Sequence, residues 1–80
     1  MTRLCNLEKG QCGKILNIEV NIKLKRRLLE LGLINGEVVK ILSISPLKNS
    51  YLILIKNYTL ALRKSILQNV FVEILVWIEL

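Results

Sequence analysis

The chain has no histidine and no aspartate, and its only acidic side chains are six glutamates spread over 80 residues. Those absences remove the imidazole general base, the paired carboxylates of a hydrolytic site and the His-containing metal sets. No Gly-rich phosphate loop stands in their place, so an enzyme is set aside in favour of a binding module. One proline and four glycines leave no flexible linker. Aromatics are confined to Tyr51, Tyr58, Phe71 and Trp77, too few for a base-stacking platform. The two cysteines, Cys5 and Cys12, fit no zinc spacing, and reduced thiols in a cytoplasmic protein are the expectation. Met1-Thr2-Arg3-Leu4-Cys5-Asn6 has no apolar stretch of the kind a signal peptide needs. Outside the C-terminus the longest apolar run is Leu52-Ile53-Leu54-Ile55, far short of the ~20 residues of a membrane span.

What is present is core-forming material. Hydrophobic residues make up 52% of the chain and charged residues 22%, too apolar for disorder and short enough for one domain. The formal net charge is +6, which points to an anionic partner: nucleic acid, a membrane surface or an acidic protein patch. Solubility alone would also account for it. The one concentrated group of cations is Lys23, Lys25, Arg26 and Arg27.

Leu7-Glu8-Lys9-Gly10 reads as an entry turn, followed by a first strand over residues 11–20. Leu16, Ile18 and Val20 fall on one face, and Ile15 breaks the alternation as a bulged strand would. Asn21 is a good N-cap for a helix over residues 22–31. In it Leu24, Leu28 and Leu31 form one stripe, with Lys23, Arg26, Arg27 and Glu30 on the other side. Gly32 stands where a left-handed helix stop belongs, and Asn35-Gly36 marks a tight turn before a strand at 37–44. Pro46 bars that strand from running on into a loop at 45–50. Strands follow at 51–56 and 58–63, joined by Lys56-Asn57, where Asn57 tolerates positive φ. A helical turn at 65–69 precedes a fifth strand at 70–74. The pattern predicts a mainly β fold: a small five-stranded barrel with one short α-helix inserted after the first strand. It forms a single domain over residues 1–80, with its core at about 4–74 and an apolar tail at 75–80. Closure of the barrel would leave no exposed sheet edge.

Three places are candidates for contact. The helix cations Lys23, Lys25, Arg26 and Arg27 could dock an acidic surface or a phosphate backbone, or simply solvate the helix. The loop at 46–51, with Pro46, Lys48 and Tyr51, is a candidate recognition loop on a rigid scaffold, and Arg63 and Lys64 add charge beside its ends. The apolar stretch Ile74-Leu75-Val76-Trp77-Ile78 either completes the core or mediates self-association or partner docking, with Trp77 as the anchor. Cys5 and Cys12 have only Glu8 as a nearby carboxylate in sequence. They read as a buried small hydrophobe and an ordinary thiol, and no metal or cofactor is expected.

Leu7, Gly10, Arg27-Leu28-Leu29-Glu30-Leu31-Gly32-Leu33, Gly36, Val39, Pro46, Leu60-Ala61-Leu62-Arg63 and Val70-Phe71-Val72 form an ordered set over residues 4–74. That set resembles the ferrous iron transport protein A (FeoA) family. Asn35 replaces the usual Pro before Gly36, Asn57 replaces a common Gly, and Leu47-Lys48-Asn49-Ser50 departs from the family's Gly- and Asp-containing loop. The resemblance implies an SH3-like barrel, similar also to C-terminal domains of iron-dependent repressors, with no catalytic residues. It implies a small cytosolic accessory or regulatory protein of ferrous iron uptake. Such a protein would act by protein–protein contact with the cytosolic face of a FeoB-type transporter. Lys23, Arg26, Arg27, Pro46, Lys48, Tyr51 and Trp77 are the candidate contact residues, and the tail is a candidate homo-oligomer contact. The alternative is a small basic nucleic-acid-binding barrel, against which the scarcity of aromatics weighs.

Overall fold

The computed structural model describes residues 1–75. Its elements are β1 (Thr2–Arg3), a 3-10 turn (Leu4–Asn6), β2 (Cys12–Ile18), α1 (Ile22–Glu30), β3 (Val38–Ile44), β4 (Ser50–Ile55), β5 (Tyr58–Arg63), α2 (Lys64–Leu67) and β6 (Val70–Leu75). They build one antiparallel sheet in the order β1-β6-β2-β3-β4-β5.

Two expectations need correcting. The sheet has six strands, because Thr2 and Arg3 pair with Val72 and Phe71. Two residues carry no readable periodicity, so only the pairing reveals the strand. Arg3 also lays its guanidinium over the Phe71 ring at 5.9 Å. The sheet is, moreover, not closed: among the described residues no pairing joins β1 to β5. One edge is therefore blunted by a strand of only two residues, and α2 follows directly from the other.

The β2 strand bulges between Ile15 and Asn17 in its pairing with β6. Ile15 consequently faces the core and Leu16 is exposed, while Ile18 stays buried and Val20 partly buried, as alternation places them. A second bulge, between Ile41 and Ser43, lets β3 bend around the core in the same way. At the β4–β5 turn Lys56, not Asn57, holds the positive φ, at 53°. The ion pair of Lys56 Nζ with Glu37 Oε1, at 3.3 Å, fixes its side chain there.

The helix begins and ends as its sequence directs. Asn21 Oδ1 accepts from the Leu24 N–H at 2.9 Å. At the other end Leu33 N–H donates to the Leu28 carbonyl and Gly32 N–H to that of Leu29. Gly32 sits at φ +96° between them, so the chain closes a Schellman motif. Leu28 and Leu33, the apolar pair that accompanies such a motif, are both in the core. The Ile34–Glu37 turn is closed by Glu37 N–H to the Ile34 carbonyl, with Gly36 at φ +94°.

The core gathers Leu4, Leu7, Ile15, Leu28, Leu33, Val39, Ile41, Ile53, Ile55, Leu67, Val70 and Val72, each with almost no exposure. Leu24 packs against it partly buried, while Leu31, the third member of the helix stripe, stays 39% exposed. Cys12 is buried but lies outside this cluster. Trp77 and the rest of the tail beyond Leu75 lie outside the described residues. No helix among those described is long and apolar enough to cross a membrane.

A Cβ at Gly32 would overlap the Tyr58 hydroxyl, whereas one at Gly36 meets nothing within 4 Å. Both positions carry positive φ, so Gly36→Ala isolates the backbone cost, about 1–2 kcal/mol. Gly32→Ala adds the steric conflict and is expected to lose about 1–3 kcal/mol more than Gly36→Ala in urea unfolding.

Candidate functional site

Three short stretches meet beside the β5 edge: the C-terminal half of α1, the end of β5 with α2, and the loop at 45–49. Tyr58 at the start of β5 donates its hydroxyl to the Leu31 carbonyl. That bond satisfies one of the carbonyls a helix end leaves free and fastens α1 over the sheet. Between α1 and β5–α2 remains an apolar groove of about 200 Å³, lined by Leu24, Arg27, Leu28, Leu31, Leu62 and Ile66. Its floor is buried leucine (Leu28, Leu62), and among the described residues Arg27 is the one charged residue in its lining.

The 45–49 loop is held by its own hydrogen bonds. Ser45 Oγ donates to Asn49 Oδ1 at 2.7 Å and accepts from the Asn49 and Ser50 N–H groups. The Lys48 N–H donates to the Ser45 carbonyl at 2.8 Å. The Lys64 N–H then donates to the Asn49 carbonyl at 2.9 Å, tying the loop to α2. A second, wider depression of about 400 Å³ opens at this junction, where Lys48, Arg63 and Lys64 converge with Leu47, Asn49, Ser65 and Gln68.

The contact residues expected from sequence are thus divided. Arg27 lines the groove and Lys48 the basic depression. Lys23 and Arg26 are exposed on α1 without lining either, and Pro46 is exposed in the loop. Tyr51 is corrected: it is a core residue, 4% exposed, and its hydroxyl donates to the Cys5 carbonyl at 2.9 Å. As the first β4 residue after Ser50 it points inward by alternation with Ile53 and Ile55. Trp77 lies outside the described residues. Cys5 and Cys12 are both buried free thiols.

Leu62 and Ile66 were not foreseen as site residues. Leu62 reads as an inward strand position and Ile66 as part of an isolated helical turn. Only the placement of α1 alongside them makes a groove. The charges of Arg63 and Lys64 beside the loop were visible in the sequence, and the loop-to-α2 hydrogen bond brings them together with Lys48.

A family model described as the FeoA domain matches residues 2–74. Among solved structures, the FeoA protein from Chlorobium tepidum is 26% identical with a TM-score of 0.89, covering 98% of this chain and 74% of that one. The FeoA of Stenotrophomonas maltophilia, complexed with zinc and described as a procaryotic SH3 domain protein, is 26% identical with a TM-score of 0.73. The match covers 91% of each chain. A manganese-dependent transcriptional repressor shares the fold at a TM-score of 0.85 and 17% identity, over 92% of this chain and 36% of that one. No curated protein sequence matches. The open six-stranded sheet is accordingly an SH3-like fold.

Burial, and next the neighbouring Cys5, push the Tyr51 phenol above its ordinary value of 10.0. The folded protein therefore holds this proton more tightly than the unfolded chain. The associated stability is complete below the ordinary phenol pKa and is lost as pH rises through the raised one. Tyr51→Phe is expected to cost about 1–2 kcal/mol at neutral pH by leaving the Cys5 carbonyl without its donor. Urea midpoints followed from neutral pH to above pH ~10 should then converge, because wild type loses a contribution the variant never had.

Proposed function

The chain belongs to the FeoA domain family, and from that membership we propose that it is a small cytoplasmic accessory protein of ferrous iron uptake. It regulates by protein–protein contact with the cytosolic face of a FeoB-type transporter, not by catalysis. One relative supports the link to iron transport: the Stenotrophomonas protein, put forward as a bacterial ferrous iron transport activating factor.

The observation that carries the contact mode is the α1–β5–α2 groove. An apolar floor of Leu28 and Leu62 with Arg27 beside it suits a partner segment that offers an aliphatic side chain next to a carboxylate. Leu31 and Ile66 at the groove margin are only partly covered, so docking there removes apolar surface from water without unfolding the site. Lys23 and Arg26 extend the basic face of α1, and Pro46 and Lys48 the loop face. The net charge of +6 draws an acidic partner over the same surfaces. Trp77 and the tail remain part of the proposed contact, as a second anchor or a homo-oligomer seam.

An NMR titration of the labelled protein with the soluble cytosolic domain of its cognate transporter tests this directly. Saturable shifts are expected along α1 and at Ile66, and Leu31→Gln or Ile66→Gln should weaken binding about tenfold, the equivalent of one lost apolar side-chain contact. Raising salt from about 50 to about 200 mM should change the affinity modestly, whereas nucleic-acid binding would fall steeply. A flat titration, or equal binding by both variants, would remove the groove from the account.

A further inference from the structure

Lys48, Arg63 and Lys64 converge on one open depression whose other polar side chains are Asn49, Ser65 and Gln68. Among the described residues no carboxylate lines it, although the chain has six glutamates. Among the described residues the one ion pair, Lys56 with Glu37, involves none of these cations. Three like charges at one site repel one another, and a surface shaped only for solubility intersperses both signs.

The backbone adds a second, independent observation. Lys48 is held at φ +56°, a left-handed conformation that disfavours any side chain and that glycine adopts freely. The Ser45-centred hydrogen bonds impose this conformation, and the Lys64 N–H to Asn49 carbonyl bond docks the loop against α2. A strained backbone thus delivers a cation to a place already crowded with cations. An anion in the depression offsets the charge repulsion, while the backbone cost stays with the loop that holds Lys48 there.

The donor set specifies the anion. Arg63 offers a planar fork, Lys48 and Lys64 offer point charges, and Ser65, Asn49 and Gln68 carry hydroxyl and amide donors. The formal charge of +3 and this surplus of donors suit a multiply charged tetrahedral oxyanion better than a single carboxylate. We propose that the Lys48–Arg63–Lys64 depression is a phosphate-binding site. It takes the terminal phosphate either of a small phosphorylated molecule or of an anionic lipid headgroup. The site is separate from the Leu28–Leu62 groove and does not depend on what binds there.

The test uses the labelled full chain at constant ionic strength, titrated in one arm with inorganic pyrophosphate. The other arm uses phosphatidylcholine vesicles containing phosphatidic acid, with pure phosphatidylcholine vesicles as reference. Saturable shifts are expected at the amides of Lys48, Asn49, Arg63, Lys64 and Ser65. Binding of pyrophosphate identifies a soluble phosphate source, and binding of the phosphatidic acid vesicles alone identifies a lipid headgroup. Lys48→Gly should weaken the interaction about tenfold while keeping or raising the melting temperature, since it relieves the strained backbone. Arg63→Gln, which leaves the loop untouched, should weaken it comparably. No binding in either arm overturns the proposal, as does wild-type affinity in both variants or an equal loss in Lys23→Gln on α1. Capture of a glutamate-rich peptide with neither phosphate arm responding would also overturn it and assign the cations to a carboxylate partner.

Discussion

The end of α1 is the joint on which the rest of the molecule depends. A helix leaves its last carbonyls without partners, and here the Schellman bonds from Gly32 and Leu33 take two of them while Tyr58 takes that of Leu31. Tyr58 can come so close only because residue 32 has no side chain. The same turn drives Leu33 into the core beside Leu28. A nine-residue helix, too short to be stable alone, is thereby anchored by its end and by one buried face. The groove is the space left between that anchored helix and the edge it overlies.

Along that edge, alternation separates two chemistries. Leu62 and Ile66 line the apolar groove, and Arg63 and Lys64 line the basic depression. Consecutive residues of a strand and the helical turn that follows it face different ways, so one short stretch furnishes both an apolar and a cationic surface. The Ser45-centred network then decides where the loop cation sits. The pairing of Ser50 with Arg63, continued by the bond from Lys64 to Asn49, holds Lys48 beside α2.

Local signals were readable where the physics is local. The Asn21 cap, the Gly32 stop, the Gly36 turn and the break at Pro46 each depend on a few neighbouring atoms, and each appears where its residue type requires it. Failures came where a residue's state depends on distant partners. Thr2–Arg3 becomes a strand only because β6 lies alongside it. Tyr51, an amphipathic residue at a loop end, gave no sign whether its ring faced a partner or the core. The carbonyl of Cys5, 46 residues away, decided that question. Lys56 took the positive φ expected near Asn57, where an ion pair with Glu37 holds its side chain.

The sequence by itself determined the class of the fold, the family, the helix and its caps, and the exclusion of histidine- and aspartate-based chemistry. The fold class, the helix with its caps and the excluded chemistry follow from composition, period and turn chemistry, which act over a few residues. The family follows from the resemblance of an ordered set of residues spread over 4–74. The tertiary structure alone decided that the sheet stays open, that β2 bulges so Ile15 faces inward, and that Arg27 and Lys48 line different depressions. It also decided that Leu62 and Ile66 belong to a site at all. These outcomes depend on which strand ends become neighbours and on hydrogen bonds such as Tyr58 to Leu31 and Lys64 to Asn49, whose partners lie far apart in the chain.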